Sequence, residues 1–222
     1  MKTRQATLVI AFAAAVVGCA SDNTSTGQRA PEPREITDAP MPKINFQTYV
    51  AAGDLAASRG QHVRAAEQYG KAAALRPDDT DILRKLALSH TRNGQMKPAV
   101  EAWKKYLSAT GESAEGFGSL GYAYELAGDP TSAEETYLAG IKKHPDGALV
   151  RINYGLMLVR RNKVDAAVQQ MSAVLKPHEV NYNIAGVYDQ MGRRDLAQFY
   201  YRRALECNPG FQPARQKLTM VE

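Results

Sequence analysis

The chain is 222 residues long, 44% hydrophobic and 23% charged, with two cysteines and a formal net charge of +5. Apolar content at that level supports a packed core and excludes a collagen-like or wholly disordered chain, and two cysteines exclude a disulfide-built scaffold. Lys2 and Arg4 supply two units of that net charge, and the other basic residues are scattered among acids such as Glu101 and Glu206, so nucleic acid is not an expected partner.

Residues 1–18 read as a secretory leader. A basic start, Lys2 and Arg4, precedes the apolar run from Ala6 to Val17, which is too short to span a bilayer. Val16, Val17, Gly18 and Cys19 then resemble the bacterial lipobox, which implies that Cys19 is acylated and becomes the first mature residue. Several acyl chains at about 0.8 kcal/mol per buried methylene make such an anchor effectively permanent. Ala20, where an aspartate retains many such lipoproteins at the inner membrane, implies an outer-membrane lipoprotein facing the periplasm. An uncleaved anchor, or cleavage among the alanines with loss of Cys19, remain alternatives.

Residues 19–45 change character, with Pro31, Pro33, Pro40 and Pro42 among Ser, Thr, Asn and mixed charge. No core can form from that composition, so the segment is expected to be a disordered tether. Fully extended it would reach roughly 80 to 90 Å, and a passive spacer is a simpler role for it than binding.

From residue 46 the chain becomes periodic. Residues 46–79 offer Tyr49, Gly53, Gly60, Ala65, Tyr69, Ala72 and Pro77, with Ala52 and Ala56 where larger residues would pack, so this unit's core is thin. Residues 80–113 carry Leu83, Leu86, Ala87, Gly94, Ala99, Trp103 and Leu107, with Tyr106 in place of a small residue and Gly111 in place of a proline. Trp103 is expected in the core, and Pro98 is tolerable in a first helical turn, where amides lack an intrahelical partner.

Residues 114–147 are the clearest unit. Helical spacing puts Phe117, Leu120, Gly121 and Tyr124 on one face of a first helix and Ala133 and Tyr137 on the facing side of a second. Gly121 and Ala133 are expected where the backbones come closest, Gly128 at a turn needing positive φ, and Pro145 at the end of the second helix. Residues 148–177 are four residues short, closing at Pro177, so the second helix is expected to end about one turn early with its packing face unrotated. Residues 178–211 return to the pattern with Ile184, Ala185, Tyr188, Gly192, Ala197, Tyr201, Ala204 and Pro209. In residues 212–222, Ala214, Leu218 and Val221 follow Phe211 at helical spacing, as expected of a capping helix.

Across the five units a small residue recurs at position 8 (Gly53, Ala87, Gly121, Gly155, Ala185) and alanine at position 20 (Ala65, Ala99, Ala133, Ala167, Ala197). Both series step by 34, 34, 34 and 30. Position 24 holds Tyr69, Trp103, Tyr137, Met171 and Tyr201. Period, small positions and closing prolines resemble the tetratricopeptide repeat family. The resemblance implies an all-α fold: a right-handed solenoid of five helix pairs and a capping helix, with a concave surface lined by the first helices.

No catalytic constellation accompanies the repeats. The four histidines fall in four different units without metal-ligand spacing, and there is no phosphate-binding glycine loop and no nucleophile elbow. An enzyme is therefore not expected, nor a cofactor, a metal or a small-molecule substrate. Cys207, the only thiol left once Cys19 is acylated, is expected to be a half-buried spacer.

The resemblance places the exposed concave positions mainly at 2, 5, 6, 9, 12 and 13 of each unit. These select a candidate groove of Arg84, Leu88, Tyr122, Ile152, Asn153, Leu156, Tyr182 and Asn183. Its middle would be apolar and aromatic, its rim basic through Arg84, Lys85, Arg92 and Arg160, and the amides of Asn153 and Asn183 would hold a peptide backbone. Partial burial of Leu88, Tyr122 and Leu156 against the next first helix is the alternative. The carboxylate clamp of chaperone-binding members, a lysine at position 5 with an asparagine at position 9, is not present.

A lipobox followed by repeats is also the layout of type IV pilus pilotins and tight-adherence secretion lipoproteins, which the chain resembles in organisation. The expected function is a non-catalytic, lipid-anchored scaffold for a protein or peptide partner of the envelope, in pilus or secretion assembly. An adaptor for cell-wall enzymes acting on peptidoglycan is the alternative.

Overall fold

The computed structural model describes residues 44–221. The leader (1–18), Cys19, the tether (19–45) apart from Ile44 and Asn45, and Glu222 lie outside the described residues. Within them the chain forms eleven α-helices and no strand. They are α1 (Phe46–Ser58), α2 (His62–Leu75), α3 (Thr80–Arg92), α4 (Met96–Ala109), α5 (Ala114–Leu126), α6 (Pro130–Lys143), α7 (Ala148–Arg160), α8 (Val164–Ser172), α9 (Pro177–Gln190), α10 (Arg194–Cys207) and α11 (Gln212–Val221). Consecutive helices pair, each pair packs on the next, and the result is a solenoid.

Local chemistry marks the helix starts. The side chains of Asp79, Ser113 and Asp129 accept the amides of Ile82, Gly116 and Ser132 at 3.1, 3.1 and 3.0 Å. Each satisfies an amide that the first turn leaves without a partner. The turn inside each pair needs a left-handed residue, and four pairs use Gly60, Gly94, Gly128 and Gly192 at φ between 70° and 75°. The fourth pair uses Asn162 at φ 60°, a conformation asparagine tolerates better than most residues.

All five position-20 alanines are fully buried, and position 24 packs beside them. A Cβ on Gly53, Gly121 or Gly155 would come within 2.5, 2.4 or 2.6 Å of Tyr69, Tyr137 or Met171. What the position-8 glycine chiefly makes room for is therefore the large side chain at position 24, not only the backbone of the partner helix. Gly140 admits Phe117 of its own unit and Val150 of the next to within 2.5 and 2.9 Å of where its Cβ would stand, so α6 seats closely on both α5 and α7. Trp103 is buried, set edge-on to buried Tyr106 at 5.4 Å, and its indole N–H donates to Thr91 Oγ1 at 3.3 Å. That aromatic pair fills the space which small residues leave to their neighbours in other units.

Two details depart from expectation. Pro177 does not close a helix: it is the first residue of α9, where its fixed φ suits a helix start, and the nine-residue α8 ends at Ser172. Cys207 is exposed rather than half-buried, because it sits at the last position of α10, where among the described residues only the Asn181 amide of α9 reaches its Sγ, at 3.9 Å. At the end of the stack α11 buries Ala214 and lays Leu218 and Val221 against the last pair, with the Gln198 amide donating to the Val221 carbonyl at 2.7 Å.

Candidate partner-binding groove

On the face lined by first helices, two units share one polar tie. The Tyr69 hydroxyl donates to Asp54 at 2.7 Å, and the same carboxylate oxygen meets Lys85 of the next unit at 3.0 Å. The Tyr137 hydroxyl donates to Glu125 at 2.7 Å, and that carboxylate holds Arg160 of the next unit at 2.6 Å. Burial, and then the adjacent carboxylate, push both tyrosine hydroxyls far above their ordinary range, so they remain protonated donors. A large side chain that packs against the position-8 glycine thus also carries a hydroxyl that locks one unit to the next.

These ties revise the expected basic rim. Arg160 is spent on Glu125, Lys85 on Asp54 and Asp81, and Arg84 on Asp81 at 3.0 Å. Carboxylates at neighbouring first-helix positions thus pair three of the four expected rim cations, Arg92 being the fourth.

The asparagine amides also go elsewhere than expected. Asn153 donates to the Gly118 carbonyl at 3.1 Å, bridging α7 to α5, and Asn183 donates to the Glu179 carbonyl at 2.8 Å within α9. Each spends one Nδ2 hydrogen on a backbone acceptor of the fold, which fixes the amide and leaves its second hydrogen and Oδ1 for other partners.

Among the apolar candidates, Tyr122 is 42% exposed, while Leu88, Ile152, Leu156 and Tyr182 are half-buried. Leu88 packs against the core of the second unit, and Leu156 against that of the later ones. Tyr182 lies between Tyr201 and Phe211, with ring centroids 5.7 and 5.4 Å away.

The structure gathers three of the eight candidates, Leu156, Tyr182 and Asn183, into one open groove of about 280 Å³ between α7, α9 and α11. Arg84, Leu88, Tyr122, Ile152 and Asn153 do not line it. Gly186, at the exposed position 9 of its unit, lines it, together with Asp189, Tyr201 and Lys217, which sequence reasoning did not place there. Burial and the nearby Asp189 carboxylate push the Tyr201 hydroxyl up to about 12, so it too is a neutral donor. The available signal was the recurrence of a position-24 tyrosine with a carboxylate at position 9 or 12 of the same unit.

On another face a broader cavity of about 830 Å³ opens between α2 and α4, with Leu83 and Leu86 at its floor and Asp78 and Lys105 along its edge. Among the described residues no group of His, Cys, Asp and Glu could hold a metal ion, and no helix is long and apolar enough to cross a membrane.

Family models described as tetratricopeptide repeat match residues 43–180 and 178–211. Solved structures share the architecture. TTC0263, a protein of that repeat type from Thermus thermophilus, is 22% identical over 80% of this chain and 98% of its own, with a TM-score of 0.57. MamA is 24% identical over 74% and 92%, with a TM-score of 0.56. YrrB, described as having an unusual peptide-binding site, is 21% identical over 78% and 91%, with a TM-score of 0.50. At such identities the likeness is one of fold. No curated protein sequence matches the chain.

Proposed function

Since the chain belongs to the tetratricopeptide repeat family, whose members generally mediate protein–protein interaction as scaffolds, we propose that it is a non-catalytic, lipid-anchored scaffold for a protein partner of the bacterial envelope. The observation that carries the binding role is the groove beside Leu156 and Tyr182, where apolar side chains alternate with Asn183, Asp189 and Lys217 and the Tyr201 hydroxyl opens to the groove without a hydrogen bond within the described residues. Apolar surface with a few placed polar groups is the composition of sites that take a peptide segment.

The anchor rests on the leader and Cys19, and outer-membrane residence facing the periplasm on Ala20. The finer role, assembly of a pilus or secretion system, rests on the order of leader, acylated cysteine, tether and repeats. The experiment is recovery of the full lipoprotein with its partners from chemically cross-linked envelopes. Secretin or pilus subunits in the recovered complex support this role. Peptidoglycan hydrolases or synthases replace it with the cell-wall adaptor.

A further inference from the structure

The polar tie of the first and third units recurs in the fifth unit with its parts drawn apart. Tyr201 stands where Tyr69 and Tyr137 stand, Asp189 occupies the position of Glu125, and Lys217 of α11 stands at the sixth residue of its segment, as Lys85 does. Tyr201 is 1% exposed, and its hydroxyl, which opens to the groove, has no hydrogen-bond partner within the described residues. Lys217 approaches Asp189 only to 3.9 Å, against 2.6 and 3.0 Å for the matching pairs. Aspartate is one methylene shorter than Glu125, which leaves the carboxylate short of the tyrosine.

The gap opens into the groove. Position 9, which carries Asp54, Leu88, Tyr122 and Leu156 in the other units, is Gly186 here, and a Cβ at Gly186 would meet nothing within 4 Å. A ligand for this site must accept from the Tyr201 hydroxyl and the Lys217 ammonium and donate to the Asp189 carboxylate. In an extended chain one residue's N–H and C=O project to the same side and supply both functions at once.

We propose that this groove binds an extended peptide segment of a protein partner through the backbone N–H and C=O of one residue, held by Asp189, Tyr201 and Lys217, with a neighbouring apolar side chain over Gly186 against Leu156 and Tyr182. The inference rests on the partner-binding role above and names the place and the chemistry of recognition.

The test uses the full chain in detergent micelles and a dodecamer peptide selected on it from a random display library. The peptide is synthesised with each backbone amide N-methylated in turn. Gly186→Leu starts from a Cβ that meets nothing within 4 Å and extends into the groove, and Tyr201→Phe deletes the donor, so both variants are expected to keep a melting temperature near wild type, which is measured beside affinity. Each is expected to weaken binding by about tenfold or more, as loss of a hydrogen bond to a charged or buried site does, and so is N-methylation at one position.

Unchanged affinity in both variants, with loss in Tyr122→Ala, overturns this site and leaves the first-helix face as a binding surface. Unchanged affinity in all three variants, or a selection that returns no binder, overturns both. Sensitivity to side-chain replacement in the peptide, with no sensitivity to any N-methyl group, overturns backbone recognition.

Discussion

Gly121 and Tyr137 touch so closely that a Cβ on the glycine would stand 2.4 Å from the tyrosine ring. The ring is fully buried and its hydroxyl is tied to Glu125, so it has no space to retreat into. Gly121→Ala should therefore destabilise the repeat by about 1 to 3 kcal/mol, despite alanine's better helix propensity. Thermal unfolding measures it, and a melting temperature equal to or above wild type would contradict the contact.

Tyr137 and Tyr201 occupy the same place in their units and should respond differently to loss of the hydroxyl. Tyr137→Phe removes a hydrogen bond to a carboxylate that is only 11% exposed, and should cost about 1.5 to 3 kcal/mol. Tyr201→Phe removes a hydroxyl without a protein partner and should change stability by less than about 0.5 kcal/mol. Equal losses in urea titrations of the two variants would show that Tyr201 does have a partner.

Acid should weaken the joint between α6 and α7. The Tyr154 hydroxyl, and after it Arg161, hold the Glu134 carboxyl below its ordinary 4.5, against an opposing effect of burial. The bonds measure 2.8 Å from Tyr154 and 2.9 Å from Arg161. A depressed carboxyl pKa adds stability above the unfolded value, and that contribution is lost as pH falls through the folded one. Wild type should lose melting temperature faster than Glu134→Gln once pH drops below about 4.5, and parallel curves from pH 6 to 3 would refute the linkage.

Tyr122 and Leu156 separate binding from packing. Tyr122→Ala should weaken a partner that uses the first-helix face by about tenfold while leaving helicity and melting temperature near wild type. Leu156→Ala should lose about 1 to 2 kcal/mol of stability as well as affinity, because the side chain is partly buried against the core. Circular dichroism beside calorimetric titration distinguishes them; a collapse of helicity in Tyr122→Ala would make that residue structural.

Cys19→Ser should abolish acylation and move the protein from the membrane to the soluble envelope fraction. Metabolic labelling with palmitate and fractionation report on it together. Membrane attachment that persists in the variant without label would reject the lipobox.

The helical repeat was legible in the sequence because its determinants are local and recur. Alanine at position 20, a small residue at position 8 and a large one at position 24 define the pair, since two helices can pack there only if those sizes alternate. The same logic could have extended to Asn162, which takes the left-handed turn position that glycine holds elsewhere. Pro177 misled for a local reason too: a proline that ends one helix and a proline that begins the next look alike in a shortened unit, and only the observed span of α9 shows which it is.

The groove was not legible in the same way, because the fate of a polar side chain depends on partners about a repeat away. Asn153 and Arg160 stand at exposed register positions, yet Gly118 and Glu125, each 35 residues earlier, claim them. Tyr201 is indistinguishable in sequence from Tyr137. Only the packed structure shows that Asp189 falls short of it and that Gly186 leaves the space beside them open, because a distance set by one methylene and one missing Cβ exists only once the helices are in place.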